Sequence, residues 1–127
     1  MQDKPARLVA GGPNAIANVI IGQAQFGKFR LILWDESGRN PQVLTEQTNV
    51  DNIPDFVDLG PPSAVTRKIL QWEGFVTAFG SGPGQLYSVI IEVMQGGQVV
   101  TDGLITESGI LEGGAKPIFG AVRLFAV

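Results

Sequence analysis

The chain has 127 residues, with nine basic and twelve acidic side chains and a net charge of −3 at neutral pH. It contains neither cysteine nor histidine, which argues against a disulfide framework, thiolate or imidazole catalysis, and the transition-metal sites that depend on those ligands. The basic residues are scattered from Lys4 to Arg123, so no basic stripe points to nucleic acid. We therefore expect no cofactor and no nucleic-acid partner.

The length is typical of one domain, which we place at residues 1–127, with residues 1–15 as an extended N-terminal arm. The N-terminal segment has no signal-peptide pattern, and its apolar stretch, Ile16–Ile21, is too short to span a bilayer. A cytoplasmic location is the default expectation, and a virion or an extracellular assembly is the alternative.

Seventeen glycines and eight prolines are spread along the chain as punctuation, which is typical of many short strands joined by turns. Gly27–Trp34 is predicted to be a strand because Phe29, Leu31 and Leu33 alternate with Lys28, Arg30, Ile32 and Trp34. A polar turn, Asp35–Pro41, follows this strand, and Gln42–Gln47 is predicted as a weaker strand beyond the turn.

The clearest element is a hairpin over Leu86–Asp102, in which Gly96 and Gly97 can adopt the positive φ angles of a two-residue turn. Closing the hairpin there pairs Met94 with Val99 and Val93 with Val100. The predicted core face then consists of Tyr87, Val89, Ile91, Val93 and Val100.

Two segments leave alternatives open. Ser63–Glu73 has apolar residues at helical spacing, but it runs into a β-rich stretch. We favour a strand over Ile69–Phe79, bulged at Gly74, with a short helical turn before the strand as the alternative. Thr48–Pro62 is predicted to be a long loop, of a length that is often functional or carries an extended edge segment.

The last segment, Ile118–Val127, alternates between two apolar faces and is broken only by Arg123. One face fits inside the domain, whereas the other, formed by Phe119, Phe125 and Val127, needs further cover. We therefore predict that these three residues belong to an interface between protein chains. The strand count of about seven or eight indicates an all-β fold, namely an antiparallel β-sandwich or jelly roll in a single domain.

Trp34 with Asp35, Glu36 and Arg39 forms the most site-like group, because an indole rimmed by charged groups can serve as a platform for a sugar. The structural alternative is that Trp34 packs under a neighbouring loop. Asp51, Asp55 and Asp58 suggest a weaker calcium alternative, although their spacing lacks the central glycine and closing glutamate of an EF-hand loop.

Charged residues make up only 17% of the chain, and several strands are apolar on both faces. Together with the missing catalytic residue types, these features favour a non-enzymatic module that assembles with itself or binds another protein. A small lectin-like domain that binds carbohydrate is the alternative, and a hydrolase that uses paired carboxylates is the third hypothesis.

Overall fold

The computed structural model describes residues 4–22, 25–50, 54–78, 84–111 and 115–127. Nine strands and one helical turn make up this part of the chain. In chain order they are β1 (Ala6–Leu8), β2 (Ala15–Gly22), β3 (Gln25–Trp34), β4 (Gln42–Val50), β5 (Asp55–Gly60), α1 (Pro62–Val65), β6 (Ile69–Ala78), β7 (Gln85–Gln95), β8 (Gln98–Leu111) and β9 (Ala115–Ala126).

The strands form one mixed sheet in the order β4-β3-β6-β9-β1-β8-β7-β2-β5. The short strand β1 lies in the middle, parallel to β9 and antiparallel to β8. It thereby joins two antiparallel groups of four strands, which we call half I (β4-β3-β6-β9) and half II (β8-β7-β2-β5). The two ends of the order, β4 and β5, contact each other, so the sheet nearly closes on itself.

The core lies between the two halves, because alternate residues of every long strand point inward. Half I contributes Phe29, Leu31, Leu70, Trp72, Val76, Ile118, Val122 and Leu124, and half II contributes Ala17, Val19, Ile21, Val57, Leu59, Tyr87, Val89, Ile91 and Val93. The outward-facing residues of the two halves therefore form two surfaces on opposite sides of the molecule.

The hairpin prediction is confirmed, since β7 and β8 pair around Gly96 and Gly97, whose φ angles are +58° and +79°. Met94 pairs with Val99 as expected, but Val93 does not pair with Val100. The register shifts there, and Glu92 pairs with Leu104, so extra residues of β8 bulge opposite Val93. The predicted core face is buried from Tyr87 to Val93, and Val100 packs against it half-buried.

The prediction of an all-β single domain is confirmed, but the expected sandwich or jelly roll of seven or eight strands differs from the single nine-stranded mixed sheet. Two strands account for the difference. β1 lies within the segment predicted as an N-terminal arm, where Ala6 and Leu8 are fully buried. β5 lies within Thr48–Pro62, so this segment is not one long loop; it carries an extended edge segment, as the sequence pattern allowed, and β5 forms one end of the strand order.

The ambiguous segment contains both predicted elements. Pro62–Val65 forms one helical turn and β6 begins at Ile69. The predicted bulge at Gly74 is absent, because the pairing of β6 runs without a shift against both β3 and β9. A Cβ at Gly74 would overlap the carbonyl oxygen of Lys28. The role of this glycine is therefore to let the β3 backbone approach closely, and not to form a bulge.

Among the described residues, none of the helical structure is long or apolar enough to cross a membrane.

Candidate functional site

The outer surface of half I contains a groove of about 600 Å³ that crosses β4, β3, β6 and β9. The strand registers place its side chains in rows. Glu46, Arg30, Glu73 and Phe119 form one row across the four strands, and Lys28, Phe75 and Pro117 form the next. These two rows give the groove a charged centre and an apolar end.

The charged centre is built around one guanidinium. Arg30 forms an ion pair with Glu73 on β6, and its Nη1 lies 3.8 Å from Oε1 of Glu46 on β4. Both carboxylates therefore engage the same cation, instead of facing each other across a gap as the acid pair of a glycosidase does. The arrangement is typical of ion pairing across neighbouring strands.

The apolar end is formed by Phe75, Pro117 and Phe119. Phe119 is 75% exposed and Phe75 is 47% exposed, although both lie in the interior of their strands. Phe119 lies opposite Glu73, two positions from Phe75 on β6, so the two rings are diagonal neighbours about 7–8 Å apart at the backbone. Two neighbouring exposed aromatic rings are an unusual amount of apolar surface for one edge of a groove.

Trp34 lies on the same outer face as Lys28 and Arg30, as the alternation of β3 predicts. Its ring is half-buried, and its Nε1 donates a hydrogen bond of 2.7 Å to Oε1 of Gln71 on β6. Gln71 in turn lines the groove. Trp34 is therefore tied to the sheet beside the groove, without itself lining the groove.

Asp35 holds the turn that follows Trp34. Its carboxylate accepts hydrogen bonds from the backbone N–H groups of Ser37 and Arg39, the hydroxyl of Ser37 and the amide of Asn40, at 2.7–3.1 Å. The bond from the Arg39 backbone, followed by the bond from the Ser37 side chain, holds the pKa of Asp35 below its ordinary value of 3.8. These bonds give Asp35 a structural role in the turn.

The other two members of the predicted sugar site are exposed in the same turn. The carbonyl oxygen of Glu36 accepts a hydrogen bond of 3.3 Å from Nη1 of Arg123, which also donates to the carbonyl of Arg67 at 2.7 Å. Arg123 thus links the turn to the loop before β6 and to β9. The side chains of Glu36 and Arg39 face solvent.

The calcium alternative requires a loop, but Asp55 and Asp58 both lie on the strand β5. Asp58 faces outward, where its carboxylate binds the amide of Asn14 and the N–H of Gly60, whereas Asp55 lies on the side of buried Val57. The two aspartates therefore point to opposite faces of β5. Asp51 lies outside the described residues, and within those ranges no three acidic side chains come together as a metal site.

The three predicted interface residues occupy two separate places along β9 and the residue that follows it. Phe119 lines the groove, whereas Phe125 lies beside Arg7 of β1 and Val127 donates its backbone N–H to the carbonyl of Leu8 at 3.0 Å. Six residues of strand, about 20 Å, separate the two phenylalanines. Phe125 is 37% exposed and Val127 is 68% exposed, so the interface prediction stays a prediction with its larger apolar part at Phe119.

Sequence reasoning did not find Glu46, Glu73 or Phe75 as members of a site. Glu46 lies on β4, and Glu73 and Phe75 lie on β6 on either side of Gly74. Only the pairing of β4 and β6 with β3 brings these residues beside Arg30. The one available signal was the alternation of β3, which places Lys28 and Arg30 on the same face.

No protein-family model matches this chain, and no curated protein matches it in sequence. Among solved structures, the fold is similar to the crystal structure of a DUF4425 family protein from Bacteroides ovatus. The similarity covers 87% of this chain and 94% of that chain with a TM-score of 0.53 and 12% sequence identity. At this identity the likeness concerns the fold alone.

Proposed function

We propose that this protein is a non-enzymatic module that assembles with copies of itself, and that the groove of half I is covered in the assembly. The observation that carries the proposal is the exposure of Phe119 and Phe75 beside the groove. Scattered exposed apolar residues are normal, but adjacent aromatic rings rimmed by polar groups are typical of interaction surfaces.

Burial of the exposed phenylalanine side chains in an interface is energetically favourable. Burying an exposed phenylalanine side chain contributes about 1.5–3 kcal/mol, and aromatic residues at the centre of an interface are common hot spots. The charged row needs little rearrangement when it is covered, because Arg30 is already paired with Glu46 and Glu73. A low fraction of charged residues, 17%, supports the same function.

Light scattering at micromolar concentration tests the proposal on the intact chain and two variants. The intact protein should have a mass above 13.5 kDa, and Phe119→Ser should lower the mass. Val9→Ser is the matched control, since Val9 is 63% exposed outside the groove and is held through its backbone by Gln95. A stable monomer for the intact chain, or equal losses for both variants, would contradict the proposal.

Carbohydrate binding is a second candidate function, and the size of the groove supports it. A volume of about 600 Å³ lies in the range of small-molecule sites, and aromatic faces with nearby hydrogen-bonding groups suit sugar rings. The groove carries two cations, Lys28 and Arg30, and two anions, Glu46 and Glu73, which favours a neutral, hydroxyl-rich ligand. A glycan array with and without calcium tests this candidate, with Phe75→Ala expected to abolish any signal that Val9→Ser retains.

A further inference from the structure

The outer surface of half II is mainly apolar. Its outward-facing residues include four with more than half of their surface exposed, namely Phe56, Leu86, Leu104 and Ile110. Half-buried Ile16, Ile20, Ile90 and Met94 fill the space between them, and Val99 lies at one edge. The strand registers join these residues into one continuous face across β5, β2, β7 and β8.

One polar pair lies at the centre of this face. Phe56, Asn18, Glu92 and Leu104 form a row across the four strands, and Nδ2 of Asn18 donates a hydrogen bond of 3.2 Å to Oε1 of Glu92. Asn18 is only 4% exposed, and its Oδ1 has no hydrogen-bond partner within the described residues. A half-buried carboxylate and a buried amide ringed by apolar side chains are therefore well placed to receive a cationic group.

The two halves differ sharply in charge. The four strands of half II carry five carboxylates, at positions 55, 58, 92, 102 and 107, and no basic residue. The four strands of half I carry four basic residues, at positions 28, 30, 116 and 123, and two acidic residues, at positions 46 and 73. Three of these groups, Asp55, Glu107 and Lys116, pair with buried residues and so lie on the inner side of their strands. The outer face of half II keeps Asp58 and Glu92 with no basic residue, whereas the outer face of half I has three basic residues (28, 30 and 123) against two acidic ones (46 and 73). The two outer surfaces are therefore opposite in net charge.

Lys28 is the basic side chain of half I best placed to use this complementarity. It is exposed on the outer face, lies opposite Phe75 in the groove, and forms no ion pair with any residue in the described ranges. Arg30, by contrast, is already paired with two glutamates. Half I therefore presents a cation flanked by aromatic rings, and half II presents a carboxylate flanked by apolar side chains.

We propose that copies of this chain associate head to tail, with the groove surface of half I docked on the apolar surface of half II and Lys28 beside Glu92. The inference rests on the proposed self-assembly and adds which surface of the second copy covers the groove. Phe75 and Phe119 then lie against the face that includes Phe56 and Leu104. Because the two contacting surfaces differ, the interface is heterologous and produces a ring or an open filament, and not a two-fold dimer.

The dimensions of the two surfaces are compatible with this docking. Four strands about 4.8 Å apart and eight residues of about 3.3 Å each give a face of roughly 19 Å by 26 Å. Projecting side chains increase the area of such a face, which brings it to the order of the roughly 800 Å² that each partner contributes to a standard interface. Both halves have four strands, and eight residues is the length of β2, one of the two inner strands of the apolar face.

A charge exchange between Lys28 and Glu92 tests the inference. Lys28→Glu and Glu92→Lys each place like charges against each other, and each should weaken association on the order of 30-fold or more. Glu92→Gln keeps the acceptor for Asn18 and removes only the charge, so it should weaken association less than Glu92→Lys. Thermal unfolding of each variant at low concentration checks that the monomer stays folded.

Mixing the two reversed variants gives the decisive result. The Glu92→Lys chain keeps an intact Lys28 surface and the Lys28→Glu chain keeps an intact Glu92 surface. The other two surfaces in the mixture carry the exchanged charges, which are also complementary to each other. An equimolar mixture should therefore regain assembly with the two chains alternating, and the double variant on one chain should regain self-assembly through the same exchanged contact. A mixture that stays monomeric, or Glu92 variants that assemble like the intact chain, would overturn the head-to-tail interface while self-assembly of the intact chain stands. A monomeric intact chain would instead overturn the proposed function.

Discussion

Gly120 lies directly opposite Trp72 in the pairing of β6 with β9, and the indole of Trp72 occupies the space where a side chain at position 120 would begin. A Cβ there would lie 2.7 Å from Cε2 of the ring and closer still to Cζ2. Trp72 is 7% exposed, so its ring has little room to move. The inner layer of half I thus depends on a glycine in the middle of a strand.

Gly120→Ala should therefore lower the free energy of unfolding by about 1–3 kcal/mol, the usual effect of overpacking. Urea unfolding followed by tryptophan fluorescence measures this loss. Ala121→Ser is the control, because Ala121 is the next residue of β9 and faces outward, half-buried; it should change stability by less than about 0.5 kcal/mol. Equal stability of Gly120→Ala and the intact chain would show that the ring does not fill this space.

Gly97 in the turn between β7 and β8 provides a second test of the fold. Its φ angle is +79°, a region that costs most side chains about 1–2 kcal/mol, so Gly97→Val should destabilise the protein by at least that amount. Gly97→Asn should cost less, since asparagine tolerates this conformation. No described atom lies within 4 Å of a Cβ at this position, so the difference between the variants reports backbone conformation alone. A valine variant as stable as the asparagine variant would argue against the turn.

Asp35 should make the stability of the protein depend on pH. Because its pKa is lowered on folding, the carboxylate stabilises the folded state at pH values above 3.8, and this contribution is lost as the pH falls through the folded-state value. The stability difference between the intact chain and Asp35→Asn should therefore be greatest near neutral pH and should shrink in acid. Denaturant unfolding at several pH values between 2 and 7 measures the difference, and NMR titration of the carboxyl should give a pKa below 3.8. A difference that grows as the pH falls would contradict the turn geometry.

The sequence predicted the strands whose alternation is long and whose turns are marked by glycine. β3, β7 and the C-terminal strand β9 are examples, whose two faces follow from the alternation. For β8 the sequence predicts the turn and the first residues only, since the predicted hairpin ends at Asp102 whereas β8 continues to Leu111. β1 was missed because three residues are too few to show alternation, and it is held in the sheet by pairing with β8 and β9, residues more than ninety positions away.

The candidate site was even harder to predict from local sequence pattern. Lys28 and Arg30 could be assigned to one face of β3 from local alternation, whereas Glu46, Glu73 and Phe119 reach them only through the pairing of four strands. The sequence around β5 predicts a loop because its aspartates and neighbouring prolines are typical turn residues, although its Val57 and Leu59 are buried against the core. Local pattern gives the faces of strands, but not which strands lie side by side.

Far-ultraviolet circular dichroism should show a β-dominated spectrum, since the described residues contain nine strands and a single four-residue helical turn. A helical content above about one quarter, approaching the average of globular proteins, would contradict this architecture.

The protein, heated with and without a chelator, should unfold at similar temperatures, because no three acidic groups of the described ranges converge on a metal position. A large fall in the unfolding temperature with chelator would restore a metal-binding role for the aspartates.

Sedimentation of the intact chain over a dilution series tests self-assembly most directly. Because the complementary surfaces lie on opposite sides of the molecule, the weight-average mass should rise above 13.5 kDa with concentration. It should exceed the mass of a dimer without a plateau at that mass, and it should level off only if a ring closes at a higher, defined mass. A mass that stays at 13.5 kDa across the micromolar range would contradict self-assembly, and a plateau at twice that value would contradict the head-to-tail arrangement.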